Sequence, residues 1–239
     1  MVTEFSSRLG TGSHASPLGK GIYTIPEAAR LSKVSSRRIR YWLRQMESEQ
    51  AKEEGQPVLW QGQHEPIDEI LALGFLDLQE VRFVEAFLKA GVSWRLLRLA
   101  HSVARDRYKT EHPFCTRRFA TDGKHIIEFL AVEGLLVECE EIAKSQKVFP
   151  EVVRPFFKEL EFSPDDRLLR WWPLGMKRSV VLDPNRQFGQ PIVTQFGVAT
   201  EVLYLAVKSG DSEEAVAEWF EVDRQAIRDA IEFEERLAA

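Results

Sequence analysis

Arg37, Arg40, Tyr41 and Arg44 are spaced i, i+3, i+4 and i+7, which on a helix gathers three guanidiniums and a phenol on one face. Ile39, Trp42 and Leu43 recur at core spacing on the opposite side. Ser35 is placed to cap that helix, since its hydroxyl can accept from an orphan backbone N–H. Guanidiniums in such a row suit a polyanion in a groove, because arginine bridges phosphates and forks onto the edge of guanine. Arg37, near the helix start, is expected to reach base edges, and Tyr41 and Arg44 to reach phosphate. Ser35, Ser36 and Arg38 on the same stretch complete the primary candidates, while Tyr23, Thr24 and Gln61 in the flanking segments are secondary ones. The plain alternative is a solvated cationic face, and the turn and wing expected around the row favour DNA over it.

No second constellation of this kind supports catalysis. Asp165-Asp166 and Glu234-Glu235 are adjacent in sequence, so their side chains diverge and fix neither water nor metal. His64, His101, His112 and His125 are scattered without a nucleophile beside them and read as structural or exposed. Cys115 and Cys139 form no CxxC pair and have no histidine at ligand spacing, and no glycine-rich phosphate loop is present. Neither enzyme activity nor a metal or other cofactor is expected.

The chain has 239 residues, 44% of them hydrophobic, enough for one large domain or two to three small ones. Its formal net charge of -5 argues against a generic nucleic-acid coat but conceals an asymmetry. Between Lys20 and Arg44 seven basic residues face the single acid Glu27, whereas from Asp211 onward ten acids face Arg224, Arg228 and Arg236. One end suits nucleic acid, and the other suits a basic protein partner or solvent. There is no membrane-length apolar run and no secretory leader pattern at the N-terminus, so a cytoplasmic location is expected.

Residues 1–18, rich in Ser, Gly and Thr, read as a mobile arm. A first helix is expected from Pro26, with Ile25 at its N-cap, and Ser32-Lys33-Val34 as the turn into the basic helix. Pro57 to His64 reads as one or two short strands in the position of a wing. Helices are then expected over Pro66 to Leu73, Leu76 to about Ala90, and Trp94 to about Arg107, the last capped by Ser93.

Tyr23-Thr24-Ile25 with Glu27-Ala28-Ala29, then Val34-Ser35, Ile39-Arg40-Tyr41-Trp42 and LQEVRFVEAFLKAGVSWRLLR, together resemble the DNA-binding domain of MerR-type regulators. The resemblance covers roughly residues 20 to 107. It implies a winged helix-turn-helix in which the two helices and the wing contact DNA and the later helix pair buttresses them. No long helix follows that would form that family's antiparallel coiled-coil dimer, and no cysteine effector site is visible, so metal sensing is not implied.

Downstream, Thr116 to Leu130 contains Asp122-Gly123 between extended runs, a hairpin signal. Phe149 to Phe162, with Pro150 and Pro155, is expected to make a short helix and strand, and Arg170 to Gly175 an ordered connector whose adjacent tryptophans face opposite ways, one into the core and one as a lid. Val180 to Val193 reads as strand, turn and strand. Helices follow over Thr200 to Ser209, Ser212 to Phe220 and Asp223 to about Leu237, the last with Ala226, Ile227, Ala230, Ile231 and Phe233 inward.

VVLDPNRQFGQPIVT followed by VATEVLYLAVKSGDSEEAVAEWFEVDRQAIRDAIEFE resembles a small bacterial domain of initially unknown function encoded beside PIN-like ribonuclease toxins, whose members behave as Vap-type antitoxins. It spans about residues 179 to 236. Some members carry an added N-terminal helix-turn-helix, the arrangement expected here. Arg224, Gln225 and Arg228 on the last helix could also read DNA, but the carboxylates around them favour a protein contact.

The sequence thus predicts a mainly α-helical chain with small β-hairpins: an arm (1–18), a MerR-like winged helix-turn-helix (19–110), a hairpin and connector (111–178), and a hairpin plus three-helix, helix-turn-helix-like module (179–239). What the resemblances imply is a DNA-binding antitoxin, a homodimer on double-stranded operator DNA, that represses its own operon and neutralises a PIN-like ribonuclease. A stand-alone transcription regulator and a protein-interaction scaffold are the alternatives.

Overall fold

A computed structural model describes residues 19–44, 62–65, 70–119 and 139–239. The chain is mainly helical, with one two-stranded and one four-stranded antiparallel sheet. The first strand, β1 (Tyr23–Thr24), runs straight into α1 (Ile25–Ser32). Thr24, rather than Ile25, is the N-cap: its Oγ1 accepts from the Glu27 amide at 3.3 Å, and the Glu27 carboxylate accepts from the Thr24 amide at 2.7 Å. This reciprocal box satisfies two otherwise orphaned donors, which an isoleucine could not do. Lys33 ends α1 in the left-handed conformation (φ 58°), and α2 (Ser36–Arg44) follows, with the Arg38 amide donating to Ser35 Oγ at 3.4 Å.

β1 pairs with β2 (Ala72–Leu73), Tyr23 opposite Leu73 and Thr24 opposite Ala72. Ala72 and Leu73 are therefore strand where a helix was expected, because the exposed backbone edge of β1 offers them partners. Of the expected wing strands, residues 57–61 lie outside the described residues, and 62–65 are irregular. Gln63 instead braces the next helix, α3 (Phe75–Lys89). Its side chain accepts from the Leu76 amide at 2.7 Å and its own amide donates to Asp77 at 2.9 Å. With Phe75, Leu78, Val81, Phe83, Val84 and Phe87 buried, α3 is the centre of the molecule. Helix α4 (Trp94–Tyr108) is capped by Ser93, whose hydroxyl accepts from the Leu96 amide at 3.1 Å.

A short 3-10 turn (Pro113–Cys115) leads into a helical turn at 117–119, so this start of the expected hairpin is not extended, and its remainder lies outside the described residues. Helix α5 (Cys139–Glu159) runs through Pro150 and Pro155, where a shorter helix was expected. The four-stranded sheet follows in sequential order: β3 (Leu160–Phe162), β4 (Leu168–Trp171), β5 (Val180–Leu182) and β6 (Pro191–Val193). Arg170 and Trp171 thus belong to a strand, and β4 pairs with β5 across the expected boundary at 178/179. The two tryptophans diverge as expected. Trp171 is buried and donates to Glu159 at 3.0 Å, and Trp172 is half-buried and donates to Glu161 at 2.9 Å.

Helices α6 (Thr200–Lys208), α7 (Glu213–Trp219) and α8 (Arg224–Ala238) complete the chain. They enclose a small core of Val193, Leu203, Val216, Val222, Ala226, Ile227 and Ala230. Phe233 of α8 and Val180 and Leu182 of β5 belong to the larger core built around α3. The C-terminal helices are therefore packed onto the N-terminal ones.

Candidate nucleic-acid interface

Helix α2 owes its placement to its apolar back. Ile39, Trp42 and Leu43 are buried, and the Trp42 ring stacks on Trp94 of α4 with centroids 5.7 Å apart and planes 18° from parallel. Arg38 fixes the rotation of the helix. Its Nη1 donates to Oε1 of the buried Glu85 on α3 at 2.9 Å and lies 2.7 Å from Oε2, a contact without hydrogen-bond geometry, while its guanidinium sits 5.0 Å over the Trp42 ring. An ion pair to a buried carboxylate and a stacked indole on the same turn leave α2 little freedom to roll.

What α2 presents outward is cationic. Arg37 and Arg40 are exposed and make no ion pair among the described residues, and Tyr41 is 57% exposed. Ser35 is exposed and occupied with its cap, and Ser36 is half-buried in the first turn. Arg44 closes the helix, and its side chain lies outside the described residues, as does Gln61. One residue the sequence reading did not place is Arg98 of α4. It lies near Tyr41, and burial lowers its guanidinium below the usual range while Tyr41 opposes that shift. The stacking of Trp42 on Trp94, which no local pattern announces, holds the two helices together there.

Two secondary candidates leave the set. Tyr23 is fully buried and its hydroxyl donates to the Gly189 carbonyl at 2.6 Å, so it offers no surface to a nucleic acid. Thr24 is exposed, but its hydroxyl donates to the Glu27 carboxylate at 2.8 Å while accepting from the Glu27 amide, so its hydrogen bonds are spent on the helix cap.

The turn between α1 and α2 is held from the far end of the chain. Lys33 donates to the Leu237 carbonyl at 3.0 Å, Arg30 lies 3.7 Å from Glu234, and Gln190 donates to Glu27 at 3.4 Å. On α8, Arg228 donates to Glu213 at 2.8 Å, Arg224 pairs with Glu214, and Gln225 donates to Asp229 at 2.8 Å. That face is neutralised within the molecule, in contrast to α2.

His125 and the Cys139 side chain lie outside the described residues, and the described histidines are tied into the frame of the molecule. His112 Nε2 lies 2.8 Å from Asp77 and His64 Nε2 2.6 Å from the Gly21 carbonyl, both inside the structural frame, and His101 is buried beside Glu80. The described residues contain no group of three or more metal-ligating side chains, and no described helix is long and apolar enough to cross a membrane.

Residues 180–233, from β5 into α8, match the model of a family described as a protein of unknown function (DUF433). Over 227 residues the chain is 28% identical to a Mycobacterium tuberculosis protein named "Putative antitoxin VapB45", a match covering 88% of this chain and 92% of that one. The crystal structure of Rv2018 from Mycobacterium tuberculosis has a similar fold, with a TM-score of 0.68 and 24% identity over 87% of this chain and 96% of that chain. The family match falls on the segment whose sequence resembles an antitoxin domain, and the two longer matches each cover most of the chain.

Proposed function

We propose that the protein is a DNA-binding antitoxin of a type II toxin-antitoxin pair, with α1 and α2 acting as a helix-turn-helix. As a homodimer it occupies double-stranded operator DNA upstream of its own operon, each protomer placing α2 in a major groove. Transcription is blocked sterically, and a second surface of the same protein binds and inhibits a PIN-like ribonuclease. The observation that carries the DNA half is the row of Arg37, Arg40 and Tyr41, exposed on a helix locked by the Arg38–Glu85 pair and the Trp42–Trp94 stack. A helix already fixed in place needs no further backbone ordering when its register on a duplex is set. The toxin half is supported by the likeness to an antitoxin over most of both chains.

Binding to a fluorescent duplex from the region upstream of the gene, measured against salt, tests the first half. Replacing Arg37 and Arg40 by alanine is expected to lower affinity and, with two protomers on the duplex, to reduce the slope of log K against log salt by up to about four. Unchanged affinity and slope would remove α2 from the interface. Co-expression with the adjacent gene tests the second half. A neighbour that is harmless alone, or stays toxic beside this protein, would leave the alternative of a stand-alone regulator.

A further inference from the structure

Helix α6 turns large apolar side chains outward. Val202 is 45% exposed and Leu205 50% exposed, and Phe196, in the turn leading into the helix, is 72% exposed. At 100° per residue the exposed positions Glu201, Val202, Leu205, Lys208 and Ser209 fall within about 120° of one another, so they form a single outward stripe. The opposite side of the helix carries Thr200 and Leu203, both buried, which fixes the stripe outward. Leu205 lies at its middle. Glu201 stands toward one end and Lys208 toward the other, about 10 Å apart along the axis.

That order has a consequence under two-fold symmetry. If two copies of α6 lie antiparallel with the axis passing beside Leu205, residue 201 of each faces residue 208 of the other, and the apolar positions meet in between. Acid, apolar centre and base therefore form a self-complementary strip, the requirement for an isologous interface. Glu201 has no ion-pair partner among the described residues. Lys208 is held extended along the helix by donating to the Tyr204 hydroxyl at 3.0 Å, which keeps its ammonium on the surface. A heterologous partner would have no reason to need opposite charges placed symmetrically about one leucine.

We infer that α6 is the dimerisation surface of this protein, packing antiparallel on α6 of a second copy with Leu205 at the two-fold axis and Glu201–Lys208 pairs at both ends. This names the surface of the homodimer in the proposed function and rests on that reading for its biological use, but not for its test.

The test is sedimentation velocity on the full chain, with thermal unfolding and operator binding measured on the same samples. The wild type is expected to be a dimer, and Leu205→Glu to raise the dimer dissociation constant by about tenfold or more with its unfolding transition retained. Glu201→Lys alone and Lys208→Glu alone each place like charges opposite one another and weaken the dimer by about threefold. The double variant Glu201→Lys/Lys208→Glu restores it, and an equimolar mixture of the two single variants forms heterodimers in preference to either homodimer. A monomeric wild type, a Leu205→Glu dimer of unchanged affinity, or a charge pair that shows no rescue would each overturn the inference. A monomer would still lose DNA affinity on replacement of Arg37 and Arg40, with a smaller change in salt slope than a dimer, so failure here is distinguishable from failure of the DNA-binding reading. If the Leu205 variant does not fold, the charge-exchange series, which alters exposed residues alone, decides the matter.

Discussion

Arg38 and Glu85 join α2 to α3 through a carboxylate that is almost fully buried and a guanidinium that is not, with 7% and 44% side-chain exposure. The acid, inside the molecule, has more to lose than the base. Arg38→Ala is expected to cost about 1–3 kcal/mol in urea unfolding, because among the described residues Glu85 then keeps the more distant Lys89 at 3.4 Å. Arg38→Ala/Glu85→Leu should recover most of that loss, since the apolar replacement has no charge to strand. Equal stability of wild type and Arg38→Ala would show that the pair does not hold the helix.

The Tyr23 hydroxyl and the Gly189 carbonyl make a second such joint, 2.6 Å long and buried. Tyr23→Phe removes the donor while leaving the ring, and should cost about 1–2 kcal/mol. Gly189→Ala should cost more, because Gly189 has φ +83° and a Cβ there would lie 2.4 Å from the Tyr23 hydroxyl. The two penalties should not add: in the Tyr23→Phe background the hydroxyl clash is gone, and the glycine substitution becomes cheaper by a measurable fraction of 1 kcal/mol or more.

Glu80 is fully buried, and that burial raises its carboxyl well above the ordinary value of 4.5, although the Phe114 amide donating to it at 3.0 Å pulls the other way. The folded protein therefore keeps a proton that the unfolded chain releases above pH 4.5, so this group's contribution is full below that pH and is lost as pH rises. Glu80→Gln should be more stable than wild type at pH 8 and close to it at pH 4.5. Burial lowers His101 well below 6.5, with His112 and Arg105 acting in the same direction, so its contribution runs the opposite way, present above pH 6.5 and lost as pH falls. A Glu80→Gln variant whose stability relative to wild type does not grow with pH would refute this assignment.

Arg178 clasps Asp229 at 2.8 Å and Glu232 on α8, and the Ser179 amide also donates to Asp229 at 2.7 Å. Burial alone would raise the Asp229 carboxyl, but these hydrogen bonds outweigh it and hold it below 3.8, while the bond from Arg178 holds Glu232 below 4.5. Carboxyls lowered on folding stabilise above their unfolded values and lose that contribution as pH falls through the folded ones. Wild-type stability should therefore decline below about pH 4.5, and Arg178→Gln should flatten that decline. Denaturant midpoints at pH 7 and pH 3 for both proteins check it.

Much of this architecture is legible in residue order. Ile39, Trp42 and Leu43 announce the buried side of α2 by their spacing, Ser93 and Ser212 mark helix starts with their side chains, and the Asp183-Pro184-Asn185 turn marks the β5–β6 hairpin. What could not be read depends on partners far away in sequence. Strands β1 and β2 have two residues each, too few for an alternating pattern, and exist because they find one another. Helix α5 continues through Pro150 and Pro155, each of which removes one backbone donor, a loss that local rules treat as a stop but that packing of Phe149, Val152 and Val153 into the core offsets. The site shows the same division. The exposure of Arg37 and Arg40 follows from spacing, whereas the loss of Tyr23 from the surface is tied to a carbonyl 166 residues away.

Because Tyr23 closes on Gly189 and Lys33 on Leu237, neither end of this chain is a detachable cassette. A cut between β4 and β5 would leave the N-terminal part with an open slot where Phe233, Val180 and Leu182 had been, and the C-terminal part with those same side chains bare. Grafting the last sixty or so residues onto another protein would need a matching tyrosine and a matching lysine on the host, set at the distances that separate Tyr23 from Gly189 and Lys33 from Leu237. Helix α8 consequently meets α1 by direct contact, through Lys33 on the Leu237 carbonyl and Arg30 beside Glu234, rather than along a tether, and shortening the chain at its C-terminus would unfasten the turn that precedes α2.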